Sequence, residues 1–232
     1  MLTITIMRTA TTRDIAMGTG TEHLARLLQL ASPALPVGAY SYSGALEAAI
    51  EAGEVKDAAS AGRWIGDVLE YSVARLEAPV LARMLAEGAD SARWNAFFLA
   101  ARETAELRAE TVQMGYSLNR LLPALGVEPL ALAEPSYPAA FAQAARAWGI
   151  APREALVAYL WAWTENQVVA AVKAVPLGQT EGQRLLAALG ARLDTLAGQA
   201  LLLADDEIAN FAPRLALLSA RHETQYSRLF RS

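Results

Sequence analysis

Pro152-Arg153-Glu154-Ala155-Leu156-Val157-Ala158-Tyr159-Leu160-Trp161-Ala162-Trp163-Thr164-Glu165-Asn166-Gln167-Val168-Val169-Ala170-Ala171-Val172-Lys173-Ala174 is the stretch whose reading decides the fold. Proline at the first position has its φ preset for a helix and lacks an N–H that would be orphaned there anyway. Apolar residues then fall on nearly every side, the pattern of a helix surrounded by other elements. The most apolar run, Ala155 to Trp163, is nine residues long. A membrane span needs about 20, and Glu165, Asn166, Gln167 and Lys173 follow at once. A central helix of an all-α protein is the reading that fits.

The flanking sequence repeats the theme. Downstream, Val175-Pro176-Leu177-Gly178-Gln179 ends the helix, and Thr180 with Gln183 reads as a capping box for a helix over 180–203. Asp205-Asp206-Glu207 starts an acidic turn, and Pro213 opens a short helix to about Ser219. Upstream, Ala139 to Trp148 is helical, and the four prolines between Leu121 and Pro138 mark the main irregular connection. Asp90 reads as the cap of one long segment running through Trp94, Phe98 and Ala105 to Leu118. A helix from Asp57 carries Trp64, Val68, Tyr71 and Arg75 on one side until Pro79 breaks or restarts it. Ser43 caps a short helix that Gly53 stops, and Thr21 caps a first helix through Leu30. Residues 1–20, despite the alternation Leu2-Thr3-Ile4-Thr5-Ile6, read as a flexible leader. The expectation is an all-α, single-domain helical bundle over 21–232, with roughly eight to ten helices.

Composition agrees and excludes several classes. Hydrophobic residues are 54% of the 232, dominated by Ala and Leu, which head the helix-propensity ranking. The absence of Cys removes disulfides, thiolate metal sites and cysteine nucleophiles. A net charge of −4 argues against a nucleic-acid partner, and no targeting segment or span is evident; a cytoplasmic protein is expected.

A catalytic set is not found. His23 and His222 are the two histidines, and neither sits in a triad-like setting. No phosphate loop is present, and Gly18-Thr19-Gly20 lacks a third glycine. His222-Glu223 is a weak metal candidate that reads more simply as a solvated polar pair. Glu165 and Lys173 form part of a polar seam on helix 152–174, read either as interhelical hydrogen bonding or as an enzyme pocket. Arg102-Glu103-Thr104-Ala105-Glu106-Leu107-Arg108 has helical i,i+3 and i,i+4 charge spacing and reads as a solvated face. Two irregular segments stand apart because they are apolar. Residues 31–43 hold Leu35, Pro36, Val37, Tyr40 and Tyr42, in a loop longer than most compact domains tolerate without a function. Residues 220–232 mix Tyr226, Leu229 and Phe230 with arginines, the residue types concentrated at protein interfaces. A helical interaction protein is where the residues alone lead.

Leu35-Pro36-Val37-Gly38-Ala39-Tyr40-Ser41-Tyr42-Ser43 with Leu46-Glu47 resembles the N-terminal signature of the urease accessory protein UreF family. The stretch 102–108 resembles its central motif. Val172-Lys173-Ala174-Val175-Pro176-Leu177-Gly178-Gln179 and Ala220-Arg221-His222-Glu223-Thr224-Gln225-Tyr226-Ser227-Arg228-Leu229-Phe230-Arg231-Ser232 resemble the two C-terminal ones. Ala45 stands where that family usually has glycine. The resemblance implies an all-α homodimer without catalytic activity or tightly bound cofactor. It implies a scaffold that joins apo-urease, UreD (also called UreH) and the GTPase UreG, with nickel handled by the complex and GTP by the GTPase. Carried over by motif, Tyr40 and Arg228 are expected at partner contacts, with Tyr226, His222, Glu223, Lys173 and Glu47 as further candidates. Loop 31–43 and the tail are expected to lie together. Two rival readings stay open: a nickel-carrying metallochaperone using His222, and a helical enzyme built around Glu165 and Lys173.

Overall fold

In the computed structural model, which describes residues 20–232, Pro152–Ala174 is one uninterrupted helix, α8, with Pro152 at its first turn. Its neighbours are α1 (Gly20–Ala31), α4 (Ala78–Leu85), α9 (Gln179–Gly190) and α10 (Leu193–Leu202), which pack around it on different sides. Leu156 and Leu160 are fully enclosed, and Tyr159 stacks edge-on against Phe141 at 5.3 Å. Burying each such side chain stabilises the fold by about 1.5–3 kcal/mol, so the central position of α8 follows from its composition. The other helices are α2 (Leu46–Glu51), α3 (Ala58–Val68), α5 (Ser91–Ala100), α6 (Ala105–Leu121), α7 (Tyr137–Ala147) and α11 (Pro213–His222). No strand occurs among the described residues. The strand-like alternation at 2–6 and the leader lie outside the described residues, apart from Gly20, which opens α1. That helix therefore contains Thr21 instead of being capped by it.

At Pro79 the structure decides between the two sequence alternatives, and two further boundaries differ from the sequence expectation. Pro79 does not break the rod that Asp57 starts. Asp57 and Ser60 form a reciprocal cap, and α3 continues through a π-helical segment, Leu69–Glu77, directly into α4. Proline cannot donate to the preceding turn and crowds its carbonyl; widening that turn relieves both problems.

The segment expected as one helix from Asp90 is two. Asp90 caps α5, accepting from the N–H of Arg93 at 2.9 Å, but the chain leaves the helix at Ala101. Thr104 then caps α6, its hydroxyl accepting from the Leu107 N–H at 3.2 Å. Arg102 is thereby turned inward, so 102–108 is not a solvated helix face.

The helix expected over 180–203 is also two. It starts at Gln179 with Gly178 before it, not on a Thr180 cap, and it is interrupted at Ala191–Arg192. There the Arg192 N–H turns back to the Leu189 carbonyl at 3.0 Å, and its guanidinium pairs with Glu70. Gln179–Leu202 has the length and mean hydropathy (1.3) of a membrane span, but this interruption and its packing on α8 make it part of the bundle wall.

The proline-rich connection 122–136 is held closely. Asn119 and Asn95 each pair an amide with its backbone in both directions: Asn119 with Leu130 at 2.8 and 3.1 Å, Asn95 with Glu134 and Ser136 at 2.9 and 2.8 Å. Gly115 on α6 leaves the space into which Pro135 and Ser136 press.

Candidate functional site

The site forms where the first irregular segment meets the tail. From α1 the chain turns through Ser32, whose hydroxyl accepts from the Ala34 N–H at 3.1 Å, to Gly38. Gly38 has φ +80°, which a side chain would strain, and it opens a single 3-10 turn at Ala39–Ser41. Alternation then separates two tyrosines. Tyr40 is 68% exposed, while Tyr42 is buried, its carbonyl held by the Asn166 amide of α8 at 3.1 Å. Gln167 lies against Gly44, so half of the polar seam on α8 serves to seat this loop. Ser43 is not the N-cap of α2, a position held by Ala45 without a side-chain cap bond; it lies three residues before Leu46, and its Oγ accepts from the Glu47 N–H at 3.2 Å.

Residues 223–232 return from the end of α11 and lie along this loop. The Arg231 N–H donates to the Ser41 carbonyl at 2.8 Å and the Ser43 N–H to the Ser232 carbonyl at 3.0 Å, a short extended pairing. The Ser43 hydroxyl donates to the same carbonyl. Phe230 points into the core, whereas Leu229 and Tyr226 face out.

Two carboxylates fix the tail. Glu47 of α2 accepts from the N–H groups of Leu229 (2.6 Å) and Phe230 (2.8 Å) and lies 3.3 Å from His222 Nε2. Glu106 of α6 accepts from Arg228 Nη1 at 2.6 Å and lies 2.7 Å from His222 Nδ1. Arg228 also donates to the carbonyls of Gln225 (3.2 Å) and Glu223 (3.0 Å), folding the tail into a turn around its own guanidinium. Glu223 accepts from the Ala105 N–H at 3.2 Å, a carboxylate at the electropositive start of α6.

His222 is therefore not part of a solvated pair. It is fully buried, with a carboxylate at each ring nitrogen. Those nitrogens point in opposite directions, so Glu47 and Glu106 cannot join His222 around one ion. No cluster of three metal-ligating side chains occurs among the described residues.

Beneath the tail lies a further ionic layer. The Ser232 hydroxyl donates to Glu110 at 2.7 Å, and nearby Arg102 pairs with Glu77 at 2.9 Å, which also accepts from the Tyr159 hydroxyl at 2.5 Å. Glu77, Arg102, Glu110, Tyr159 and Tyr137 border a small cavity of about 60 Å³. Burial pushes the Glu110 carboxyl up to about 7, against the lowering effect of the Ser232 hydroxyl and Arg102.

The folded protein thus holds a proton on Glu110 that an unfolded chain, near 4.5, has already released. This makes stability fall as pH rises from about 4.5 to about 7. In urea titrations, Glu110→Gln is expected to flatten that fall, the difference from wild type growing to roughly 1–3 kcal/mol by pH 8. Parallel curves for the two proteins across that range would refute it.

Of the residues singled out by sequence, the structure gathers Glu47, His222, Glu223 and Arg228 into one network and leaves Tyr40 and Tyr226 on its surface. Lys173 is not among them. It lies exposed beside Glu165 on a cleft of about 150 Å³ between α8 and α9, lined otherwise by Gln179 and Gln183 and by the apolar Val168, Val172 and Leu186. Sequence reasoning missed Glu106 and Glu110. Their signal is a pair of carboxylates one turn apart, on a helix whose adjacent positions Leu107, Thr111 and Met114 face the core.

Residues 55–190 match the model of the UreF family. The chain is 60% identical over 223 residues to the urease accessory protein UreF of Azoarcus sp. (strain BH72), an alignment covering 90% of this chain and 95% of that protein. It is 54% identical over 222 residues to the protein of the same name from Dechloromonas aromatica (strain RCB), covering 90% and 97%. With the one from Methylobacillus flagellatus it shares 52% over 223 residues, covering 90% and 97%.

Proposed function

The chain belongs to the UreF family of urease accessory proteins, and from that premise we propose that it is a non-enzymatic scaffold in urease maturation. In this reading it works as a cytoplasmic homodimer that joins UreD (UreH), the GTPase UreG and apo-urease. Nickel is the cargo of the assembled complex, and GTP belongs to the partner GTPase. One observation carries the reading: loop 32–45 and tail 223–232 are locked by the carboxylates of Glu47 and Glu106 into a defined surface, yet that surface shows Tyr40, Tyr226 and Leu229 to solvent. Rigid aromatic groups on a preformed frame suit recognition of another protein, because little order is lost on binding. Arg228 contributes by shaping the tail, its fork engaged with Glu106 and two carbonyls. His222, with a carboxylate at each nitrogen, supports the frame better than it supports a nickel carrier.

Tyr226 is fully exposed and Tyr40 largely so, which separates folding from recognition. Tyr40→Ala and Tyr226→Ala are each expected to change stability by no more than about 0.5 kcal/mol. The test is co-purification of tagged protein with apo-urease, UreD and UreG. Wild type should retain the partners, and both variants should retain at least one of them poorly. Full retention by both variants would remove this surface from the complex. A folded wild type that retained nothing would remove the scaffold reading itself.

A further inference from the structure

His222 is the last residue of α11, and its ring is shut off from solvent. Each ring nitrogen faces a carboxylate from a different helix. Nδ1 lies 2.7 Å from Glu106 Oε2, and Nε2 lies 3.3 Å from Glu47 Oε2. An ionised carboxylate only accepts hydrogen bonds, whereas a neutral imidazole has one N–H and one lone pair. A neutral ring therefore sets its lone pair against one of the two carboxylates. Neither acid supplies the missing proton. Glu47 already accepts from the N–H groups of Leu229 and Phe230, and Glu106 from the Arg228 guanidinium. Only the imidazolium donates to both.

The local charges lead to the same state. On the elements packed around the ring, Arg108 pairs with Glu134, Glu110 takes the Ser232 hydroxyl, and Glu223 takes the Ala105 N–H. Glu51, Arg221 and Arg231 are exposed. Two nearly buried carboxylates, Glu47 and Glu106, then face one guanidinium, that of Arg228. A second positive charge, on the ring, balances them.

We propose that His222 is a positioning residue that holds the tail surface through two ring N–H groups, so that the framed tail is the doubly protonated form and loosens when the ring becomes neutral. Being buried, His222 acts through its two carboxylates: Glu47 grips the backbone of Leu229 and Phe230, and Glu106 grips Arg228. The inference gives the tail surface of the scaffold reading a control, and it rests on that reading only for what the surface binds.

The experiment follows the full chain by NMR with isotope-labelled histidine. The sequence has two histidines, so His23→Gln leaves one set of ring signals. Ring nitrogen shifts count the protons on His222. Amide exchange at Leu229 and Phe230, corrected for the intrinsic rate, reports the hold on the tail. As the pH is raised, protection of these two amides should fall by a factor of about 10 or more, and level off where the ring loses its second proton. Amides within α8 should keep their protection. Glu106→Gln is the conservative variant, because its side-chain N–H can donate to a neutral ring while its oxygen still accepts from Arg228. There the change in protection with pH should shrink to less than about threefold. A ring with a single proton beside a fully protected Leu229 and Phe230 overturns the proposal. So does a fall in protection that does not follow the ring, or one that persists in Glu106→Gln. These readouts need no partner. A chain that shows them and retains none of apo-urease, UreD and UreG upholds the proton coupling and removes the scaffold reading alone.

Discussion

Glu47→Ala is expected to release the tail while leaving the helical bundle folded. The carboxylate accepts from two consecutive backbone N–H groups, Leu229 and Phe230, and faces the buried His222 ring. Hydrogen bonds to a charged group contribute about 1.5–3 kcal/mol each, and a buried donor left without its acceptor adds a desolvation cost. The total, roughly 3 kcal/mol or more, exceeds what a ten-residue segment anchored by Phe230 and a few further bonds can lose. Trypsin should then cleave after Arg228 and Arg231 under conditions that leave wild type intact. Amide exchange at Leu229 and Phe230 should rise by at least a factor of 10, while amides within α8 stay protected. Partner retention should drop as in Tyr226→Ala. Glu47→Gln keeps only one oxygen to accept and should lie between. Unchanged protection of Leu229 and Phe230 in Glu47→Ala would mean that the tail is held elsewhere, through Arg228 and Phe230.

Gly115→Ala is expected to damage the bundle itself. A Cβ built at Gly115 falls 2.1 Å from the Pro135 carbonyl oxygen and 2.4 Å from the Ser136 carbonyl carbon. Both are backbone atoms, so no side-chain rotation relieves the clash. Moving the connection away pulls Ser136 from Asn95 and Tyr137 from the Thr111 hydroxyl, where the bonds are 2.8 and 3.1 Å. Overpacking of this kind costs about 3 kcal/mol or more. At 2–4 °C per kcal/mol for a protein of this size, Tm should fall by roughly 10 °C. Gly178→Ala is the control, because nothing lies within 4 Å of its added carbon; its effect should stay below about 1 kcal/mol. Similar small shifts in both variants would show that the 122–136 connection is free to move off α6.

What was legible in the sequence follows from how local each signal is. The central helix 152–174 could be read because proline, length and all-round apolarity act within one segment. The interface character of 31–43 and 220–232 could be read because apolar residues in irregular chain are costly to leave idle. Their meeting was expected from the family resemblance, not from the residues. Whether Pro79 breaks or restarts its helix, and where the 90–118 segment divides, are not legible because a π turn and an inward-turned Arg102 are tertiary accommodations: the buried partner Glu77 decides the second, at 25 residues' separation. Glu106 and Glu110 were overlooked because helical spacing says which residues share a face, not whether that face is wet. His222 reads as solvated for the same reason, although the two carboxylates that enclose it come from 116 and 175 residues away.

The pairing of Ser43 with Ser232 joins positions 189 residues apart. On a ribosome adding about 5–20 residues per second, loop 32–45 is made roughly 10–40 s before the segment that completes it. The helices between them can fold during that interval, since their contacts are closer in the chain. The lock made by Glu47, Glu106 and Arg228 closes only after residues 223–232 have left the exit tunnel. A nascent polypeptide displays Tyr40 without the framed tail until residues 223–232 have been made, so the finished surface reports that they are in place.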